Sequence, residues 1–391
     1  MRLTWIIKLA IIWYIALCAV HYFNQRPMWN DEQAVFYSVE SFSTSEIFSR
    51  SLLSIQVFPR AYFWMIQKFS QQFDYHLLSL RFFSFICMMA AFCLWLKLAR
   101  LELKNNLQYL TFVLSWCGSV LLVYYSAELK QYSMDVLGCA IFLLFLYYQK
   151  DLQQKHKYYP LILVSLPALM LVSYTSLFFL LFPLYNLILD YRTDKKCLRC
   201  IALYGASLVI FLSISYYFDV RLRPTAVLNR EWNSYFISLS STGDFFQTLG
   251  DGINNLFSRW FAERPRIIKK IARVFVGFGL LNMFRAFFVN IKKDKYYLKS
   301  IQTIALVLFA EFLVLGALRK YPFTVPRTSL FFCPVVLILT IQGISWVKNI
   351  FKPAYVVLHG LYIVFLLAVS IGIAQHVFGG DLGAMPLLWR P

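Results

Sequence analysis

Two adjacent carboxylates, Asp31 and Glu32, open the set of residues in this chain that could do chemistry. They follow the first long apolar run, so they lie at a predicted membrane edge. Burial there would raise the pKa of a carboxylate towards that of a useful general base. For the pair taken alone, a solvated loop start is the simpler explanation.

A second polar segment lies in a short turn between two apolar runs and contains Glu128, Lys130 and Tyr132. The turn is too short to leave the bilayer surface, so its charges must sit at the interface. A simple Glu128–Lys130 ion pair would account for both charges without any function.

A third segment, later in the chain, contains Arg319, Lys320, Tyr321 and Arg327. Three cations in a predicted outer loop contradict the usual placement of basic residues on the cytoplasmic side. Arginine binds phosphate through two parallel hydrogen bonds, so a phosphate at the outer leaflet would explain the exception. Anchoring to lipid headgroups explains it equally well.

Two charged residues are predicted within apolar runs, where ionisable groups are candidates for function. They are Arg81, near the outer end of the second run, and Glu311, inside the ninth. A structural pair of Glu311 with Arg273 or Arg285 is the alternative. The chain contains no phosphate-binding glycine loop, dinucleotide fingerprint or serine nucleophile elbow, so nothing supports ATP hydrolysis or serine hydrolase chemistry.

The elements that position these residues must be membrane helices. Of 391 residues, 60% are hydrophobic and 15% are charged, whereas soluble domains have roughly 45–50% apolar and about 25% charged residues. The formal net charge of +19 lies mostly in short clusters between apolar runs, which indicates membrane topology and anionic headgroups rather than nucleic acid. The fold class is therefore an all-α polytopic membrane protein.

About eleven apolar segments are predicted to span the bilayer. They cover residues 5–23, 77–98, 107–125, 133–149, 158–173, 174–190, 201–218, 271–290, 298–317, 327–346 and 354–376. No charged residue occurs from Tyr158 to Leu189, and a straight helix of that length would measure about 48 Å, too long for one span. Basic residues flank this stretch on both sides, so we interpret it as a hairpin of two spans.

Residues 58–69 have the apolar stripe of an amphipathic helix, with too few uncharged residues between Arg60 and Lys68 for a span. We predict that this helix lies on the membrane surface. With a cytoplasmic N-terminus, the positive-inside rule then places six basic clusters inside and the loops of about 24–76 and 219–270 outside. Residues 1–391 are interpreted as a single domain.

The order of these features resembles the GT-C superfamily of polyprenyl-phosphate-sugar glycosyltransferases. The most similar branch contains the protein O-mannosyltransferases, the lipid A aminoarabinose transferase and the RgtA/B/C/D-like bacterial enzymes. The matching features, in order, are the pair Asp31-Glu32, the Pro-led surface helix at residues 58–62, Arg81 opening a span, the loop containing Glu128 and Tyr132, and Tyr321-Pro322-Phe323 with Arg327.

The resemblance implies an enzyme that moves a sugar from a polyprenyl-phosphate donor, such as an undecaprenyl-phosphate sugar, to an acceptor hydroxyl at the extracytoplasmic face of the inner (plasma) membrane. Asp31 would be the base, with Glu32 orienting or sharing the site. The cations Arg81, Lys130, Arg319, Lys320 and Arg327 could stabilise the lipid phosphate as it leaves. One displacement would invert the sugar, and the acceptor would be a glycan, lipid or protein.

A metal ion is not obligatory in this chemistry, although Asp31 and Glu128 could hold a divalent cation. Residues 219–270 should fold over the site, and their aromatic side chains could stack on sugar rings or anchor the loop. Rival interpretations are a transporter or flippase of lipid-linked sugars, an O-antigen ligase-like enzyme, or a structural membrane subunit.

Overall fold

The computed structural model describes residues 2–261, 266–292, 298–322 and 324–382, and every regular element in them is helical. The first half of the chain contains α1 (Arg2–Phe23), α2 (Asn30–Ser41), α3 (Thr44–Ile47), α4 (Arg60–Gln71), α5 (Leu77–Glu102), α6 (Asn106–Cys117), α7 (Val120–Tyr124), α8 (Tyr132–Lys155) and α9 (Tyr159–Ser165).

The second half contains α10 (Leu181–Tyr191), α11 (Cys197–Phe218), α12 (Thr225–Glu231), α13 (Thr242–Arg259), α14 (Arg266–Lys292), α15 (Ile301–Ala317), α16 (Cys333–Val347) and α17 (Lys352–Phe378). The protein is thus an all-α polytopic membrane protein, as predicted.

Eight helical stretches in the described part of the chain are long and apolar enough to cross a membrane. The other three predicted spans coincide with helices of different form. Residues 107–125 become a pair, α6 and α7, bent by 61°. The remaining two are the shorter apolar stretches Tyr159–Leu171 and Ile301–Ala317. Each of the eleven predicted segments is largely helical. The number of them that cross the whole bilayer stays a prediction.

The uncharged stretch from Tyr158 folds back on itself, as the hairpin interpretation requires. Tyr204 donates a hydrogen bond to the carbonyl of Leu180, and Ser207 donates one to the carbonyl of Val164. Tyr204 and Ser207 are one turn apart on α11. In one continuous helix the two carbonyls would be about 24 Å apart, so the chain must reverse between them.

Helix packing in the second half of the chain depends on small residues. A Cβ atom on Gly343 of α16 would lie 2.1 Å from the carbonyl oxygen of Phe278 on α14. Only glycine allows the two backbones to approach this closely, which is a common way for membrane helices to associate. The packed pair fixes where α16 begins, and therefore fixes the loop that precedes it.

The predicted surface helix is observed as α4. Its Tyr62 and Ile66, with Phe58 just before the helix, are buried in a small core with α2 and the start of α5. Trp64, on the opposite side, remains exposed, and so does Met65 at the edge of the buried face. The amphipathic stripe is therefore a contact with the protein, and only the other face is available to the membrane surface.

Candidate active site

The polar segments meet at one end of the helix bundle. This end contains the last turn of α1, the first turns of α5 and α8, and the loop that precedes α16. In antiparallel helices, the C-terminal end of one lies beside the N-terminal end of the next. Residues far apart in sequence therefore converge here. Around the Asp31-Glu32 pair, the charges form two groups, one around each carboxylate.

Glu32 is fully buried in the first turn of α2, and both of its oxygens are occupied. Its Oε2 accepts from Arg26 Nη1 at 2.6 Å and from Arg81 Nη2 at 2.8 Å. Its Oε1 accepts from Arg81 Nε at 2.9 Å and from the backbone N–H of Leu129 at 2.8 Å. Glu32 thus ties together α2, α5 and the turn before α8.

The charge of Glu32 is kept by its two arginines. Burial would raise the pKa of this carboxyl, but Arg26 and Arg81 outweigh burial and hold the pKa below its ordinary value. A buried, ionised and fully hydrogen-bonded carboxylate is a poor proton acceptor. The arrangement favours the orienting role that the resemblance allowed for Glu32.

Asp31 faces the other way and is partly open, with 20% of its side chain exposed. Its Oδ2 lies 2.7 Å from Arg327 Nη1 and 3.4 Å from Lys130 Nζ. Gln56 donates to Oδ1 at 3.3 Å and accepts from Lys130 Nζ at 2.5 Å. A solvent-accessible carboxylate between two cations can accept a proton from a bound hydroxyl.

The cations around Asp31 control its charge. Burial alone would raise the pKa of the Asp31 carboxyl, yet Lys130 and Arg327 outweigh it and lower the pKa. Burial and the neighbouring Arg327 in turn lower the pKa of Lys130, against the pull of Asp31. Asp31 is therefore ionised in this structure and paired, rather than poised with a raised pKa.

Glu128 is fully buried between the two groups. Its Oε1 accepts from Trp29 Nε1 at 3.3 Å, and its Oε2 lies 4.0 Å from Arg26 with no hydrogen-bond partner. Burial and the nearby charge of Glu32 raise the pKa of Glu128. The simple Glu128–Lys130 pair considered from sequence does not form, because Lys130 points to Asp31 instead.

The late loop contributes Arg327 to the site, whereas its other candidates lie elsewhere. Tyr321 donates to the carbonyl of Thr328 at 2.5 Å and packs against Phe178, so it shapes the loop. Arg319 and Lys320 are exposed and lie outside the network around Asp31. Phe323, part of the same motif, lies outside the described residues.

Two further candidates are placed by their neighbours. Tyr132 opens α8 and packs edge-on against Tyr125, with ring centroids 4.8 Å apart. Glu311 forms no ion pair with Arg273 or Arg285 in the described structure, so the structural pairing considered from sequence is wrong.

Part of the segment after α11 contacts the loop that carries Arg327. That residues 219–270 cover the site stays a prediction. The guanidinium of Arg327 is 5.5 Å from the ring centroid of Trp232. Thr324 Oγ1 donates to the carbonyl of Tyr235 at 2.8 Å. Among the described residues of this segment, Trp232 therefore contacts a cation of the candidate site.

Sequence reasoning missed Arg26 and Gln56. Arg26 stands a few residues after α1, beside a predicted pair of carboxylates, and could have been found as their counter-charge. Gln56 is neutral and lies in a loop, so nothing in the sequence singles it out. Across all described residues, no group of three or more His, Cys, Asp or Glu side chains could hold a metal ion.

Comparison with known proteins gives one match. Residues 58–218 match the family model described as dolichyl-phosphate-mannose-protein mannosyltransferase. The matched part contains Arg81, Glu128, Lys130 and Tyr132, whereas Asp31 and Arg327 lie outside it. No curated protein and no solved structure matches the chain. The family match supports the resemblance to the GT-C superfamily and thus a membrane glycosyltransferase.

Proposed function

We propose that this GT-C-type membrane glycosyltransferase moves a hexosyl or pentosyl unit from a polyprenyl-phosphate donor to an acceptor hydroxyl. The observation that carries the proposal is the contact of Asp31 with Arg327 and Lys130, at 2.7 and 3.4 Å. A proton acceptor and two phosphate-binding cations within one group are what such a transfer needs.

The reaction follows from the positions of these charges. The acceptor oxygen attacks the anomeric carbon of the sugar, and its proton passes to a carboxylate oxygen of Asp31. The bond between the anomeric carbon and the phosphate oxygen breaks, and its electrons remain on the lipid phosphate. Arg327 and Lys130 stabilise the charge that grows there. A single displacement of this kind inverts the sugar.

Glu32 acts as a positioning residue in this proposal. Its bonds to Arg26, Arg81 and the backbone of Leu129 hold the start of α2 beside the turn that presents Lys130. Asp31 is the residue immediately before Glu32, so its backbone is fixed by the same contacts. Preorganised charges of this kind need no rearrangement when charge develops in the reaction.

The distribution of basic residues supports an extracytoplasmic site. The helix ends opposite to the site contain Lys8, Arg100, Lys104, Lys155 and Lys348. Short basic loops face the cytoplasm, so Asp31 would face the periplasmic or external side of the inner (plasma) membrane. The acceptor, a glycan, lipid or protein, would approach from that side. The lipid-linked donor would reach the same single domain from the bilayer.

Loss of the base tests the proposal directly. Asp31→Asn keeps the shape and the Gln56 contact but removes the proton acceptor, so transfer should fall by roughly 10²–10⁴-fold. The measurement is release of lipid phosphate from a polyprenyl-phosphate sugar by the purified protein. Glu46→Gln, a partly exposed carboxylate change in α3 outside the site, is the matched control. Undiminished transfer by Asp31→Asn would reject Asp31 as the base, and failure of the native protein to transfer would favour a transporter.

We also propose that no metal ion is required, because Lys130 and Arg327 supply positive charge where a divalent ion would otherwise act. Asp31 and Glu128 would be the residues to hold one. EDTA treatment should leave the transfer rate within about twofold of the untreated rate. A loss of activity that Mg²⁺, Mn²⁺ or Zn²⁺ restores would show instead that these two carboxylates bind a metal.

A further inference from the structure

Asp31 occupies the cations that a donor phosphate would need. Arg327 Nη1 and Lys130 Nζ both approach a single oxygen, Oδ2, while Gln56 approaches the other. Carboxylate and phosphate oxygens accept the same charge-assisted hydrogen bonds from arginine and lysine. Two anions at this position would compete for one pair of cations.

Resting on the proposed function, we propose that Asp31 is a placeholder for the donor phosphate: the phosphate takes Arg327 and Lys130 from Asp31, and this exchange makes the Asp31 carboxylate available as the base. The donor would thereby activate the enzyme, and Asp31 would stay paired in its absence. The same exchange assigns the phosphate position to the space now bordered by Arg327, Lys130 and Gln56.

The two carboxylates of the pair differ in freedom to move. Glu32 is fully buried and bonded on both oxygens, whereas the Asp31 side chain is 20% exposed and the Arg327 side chain 15% exposed. Because Glu32 fixes the first turn of α2, Asp31 can leave Arg327 by a side-chain rotation alone. Such a rotation leaves the helix in place.

The exchange also gives Asp31 the proton affinity that its role requires. In the present pairing, the two cations lower the pKa of the Asp31 carboxyl, which makes it a weak base. When the phosphate neutralises those cations, Asp31 accepts a proton more readily. After transfer, the neutral carboxyl holds the acceptor's proton. Loss of that proton to water restores the Asp31 charge, which competes again for the cations and favours release of the lipid phosphate.

Binding of a lipid phosphate without a sugar tests the exchange separately from turnover. The probe is farnesyl phosphate, titrated in detergent against native protein and Asp31→Asn, with farnesol as the control that lacks the phosphate. Asp31→Asn should bind farnesyl phosphate at least roughly fivefold more tightly, the lower end of usual coupling between competing ligands. Farnesol should bind both proteins alike. In Asp31→Asn with Arg327→Gln, the gain should disappear.

Equal or weaker binding of farnesyl phosphate by Asp31→Asn would overturn the placeholder role. If thermal unfolding shows that Asp31→Asn is not folded, Asp31→Ser, which also removes the charge, gives the same test. The two proposals fail differently. If Asp31→Asn binds farnesyl phosphate more tightly but the native protein transfers no sugar, the exchange is supported and the transferase proposal is rejected. If the native protein transfers sugar but Asp31→Asn binds farnesyl phosphate no more tightly, the transferase proposal is supported and the exchange is rejected.

Discussion

At the scale of single residues, two adjacent carboxylates have opposite environments. Glu32 is enclosed by Arg26 and Arg81, while Asp31 meets Arg327 and Lys130 beside solvent. Successive residues in the first turn of a helix point in different directions, so one enters the protein and the other faces the cleft. On this division rests our proposal that Glu32 positions the site and Asp31 takes part in the chemistry.

The pH dependence of transfer should report the state of Asp31. Because the cations lower its pKa, Asp31 stays ionised until the pH falls through a value below the ordinary one, about 3.9. The rate constant kcat/KM, which reports the free enzyme, should keep its value down to that range. If the donor takes both cations, kcat should begin to fall at a higher pH.

Lys130→Gln provides the control for this pH profile. It removes one cation from Asp31, so the acidic fall in kcat/KM should move to higher pH. Arg50→Gln, an exposed change three residues after α3, should not move it. Glu128, whose raised pKa also reflects burial, is the other titrating group nearby. Identical acidic limbs in native protein and Lys130→Gln would show that Asp31 is not the group that titrates.

At the scale of elements, short turns between spans position the site. The turn before α8 is held from two sides, since Leu129 donates its N–H to Glu32 and Ser84 of α5 donates to the carbonyl of Lys130. The loop before α16 is held by Tyr321 and by Thr324. Such anchors make the turns as well defined as the helices that they join.

Removing the charge of Glu32 should loosen this assembly. Glu32→Gln leaves Arg26 and Arg81 buried without their counter-charge, and breaking a buried pair in this way costs about 3–5 kcal/mol. We expect a clear fall in the midpoint of thermal unfolding in detergent, together with reduced transfer. Glu46→Gln, whose glutamine can keep the hydrogen bonds of the capping box, should alter neither. A Glu32→Gln protein with native stability but no transfer would point to direct chemistry by Glu32.

At the scale of the whole molecule, charged residues are distributed differently at the two ends of the helix bundle. Ion pairs of Asp31 and Glu32 lie at the site, while basic residues such as Lys8, Arg100 and Lys348 lie towards the other ends of the helices. The membrane potential and anionic headgroups act on this asymmetry and set the orientation. The position of the chemistry relative to the cell thus depends on the molecule's topology.

Labelling of introduced thiols should reveal that topology. A cysteine at Ser240, exposed before α13, should react in intact cells with a membrane-impermeant maleimide. A cysteine at Asn349, exposed between α16 and α17, should react only after the membrane is opened. The unsubstituted protein gives the background from the eight native cysteines. The reverse pattern would place Asp31 in the cytoplasm.

The sequence by itself determined that the chain is a helical membrane protein, because apolar run length and charge position are local properties. It also located the polar segments and the hairpin of residues 158–173 and 174–190. Only the tertiary structure decided which cation meets which carboxylate. Asp31 and Arg327 are separated by 296 positions, and their contact depends on how α1, α8 and α16 pack. The same packing left Arg319 and Lys320 outside the network and added Arg26 and Gln56 to it, since pairing across a bundle is fixed by geometry and not by residue type.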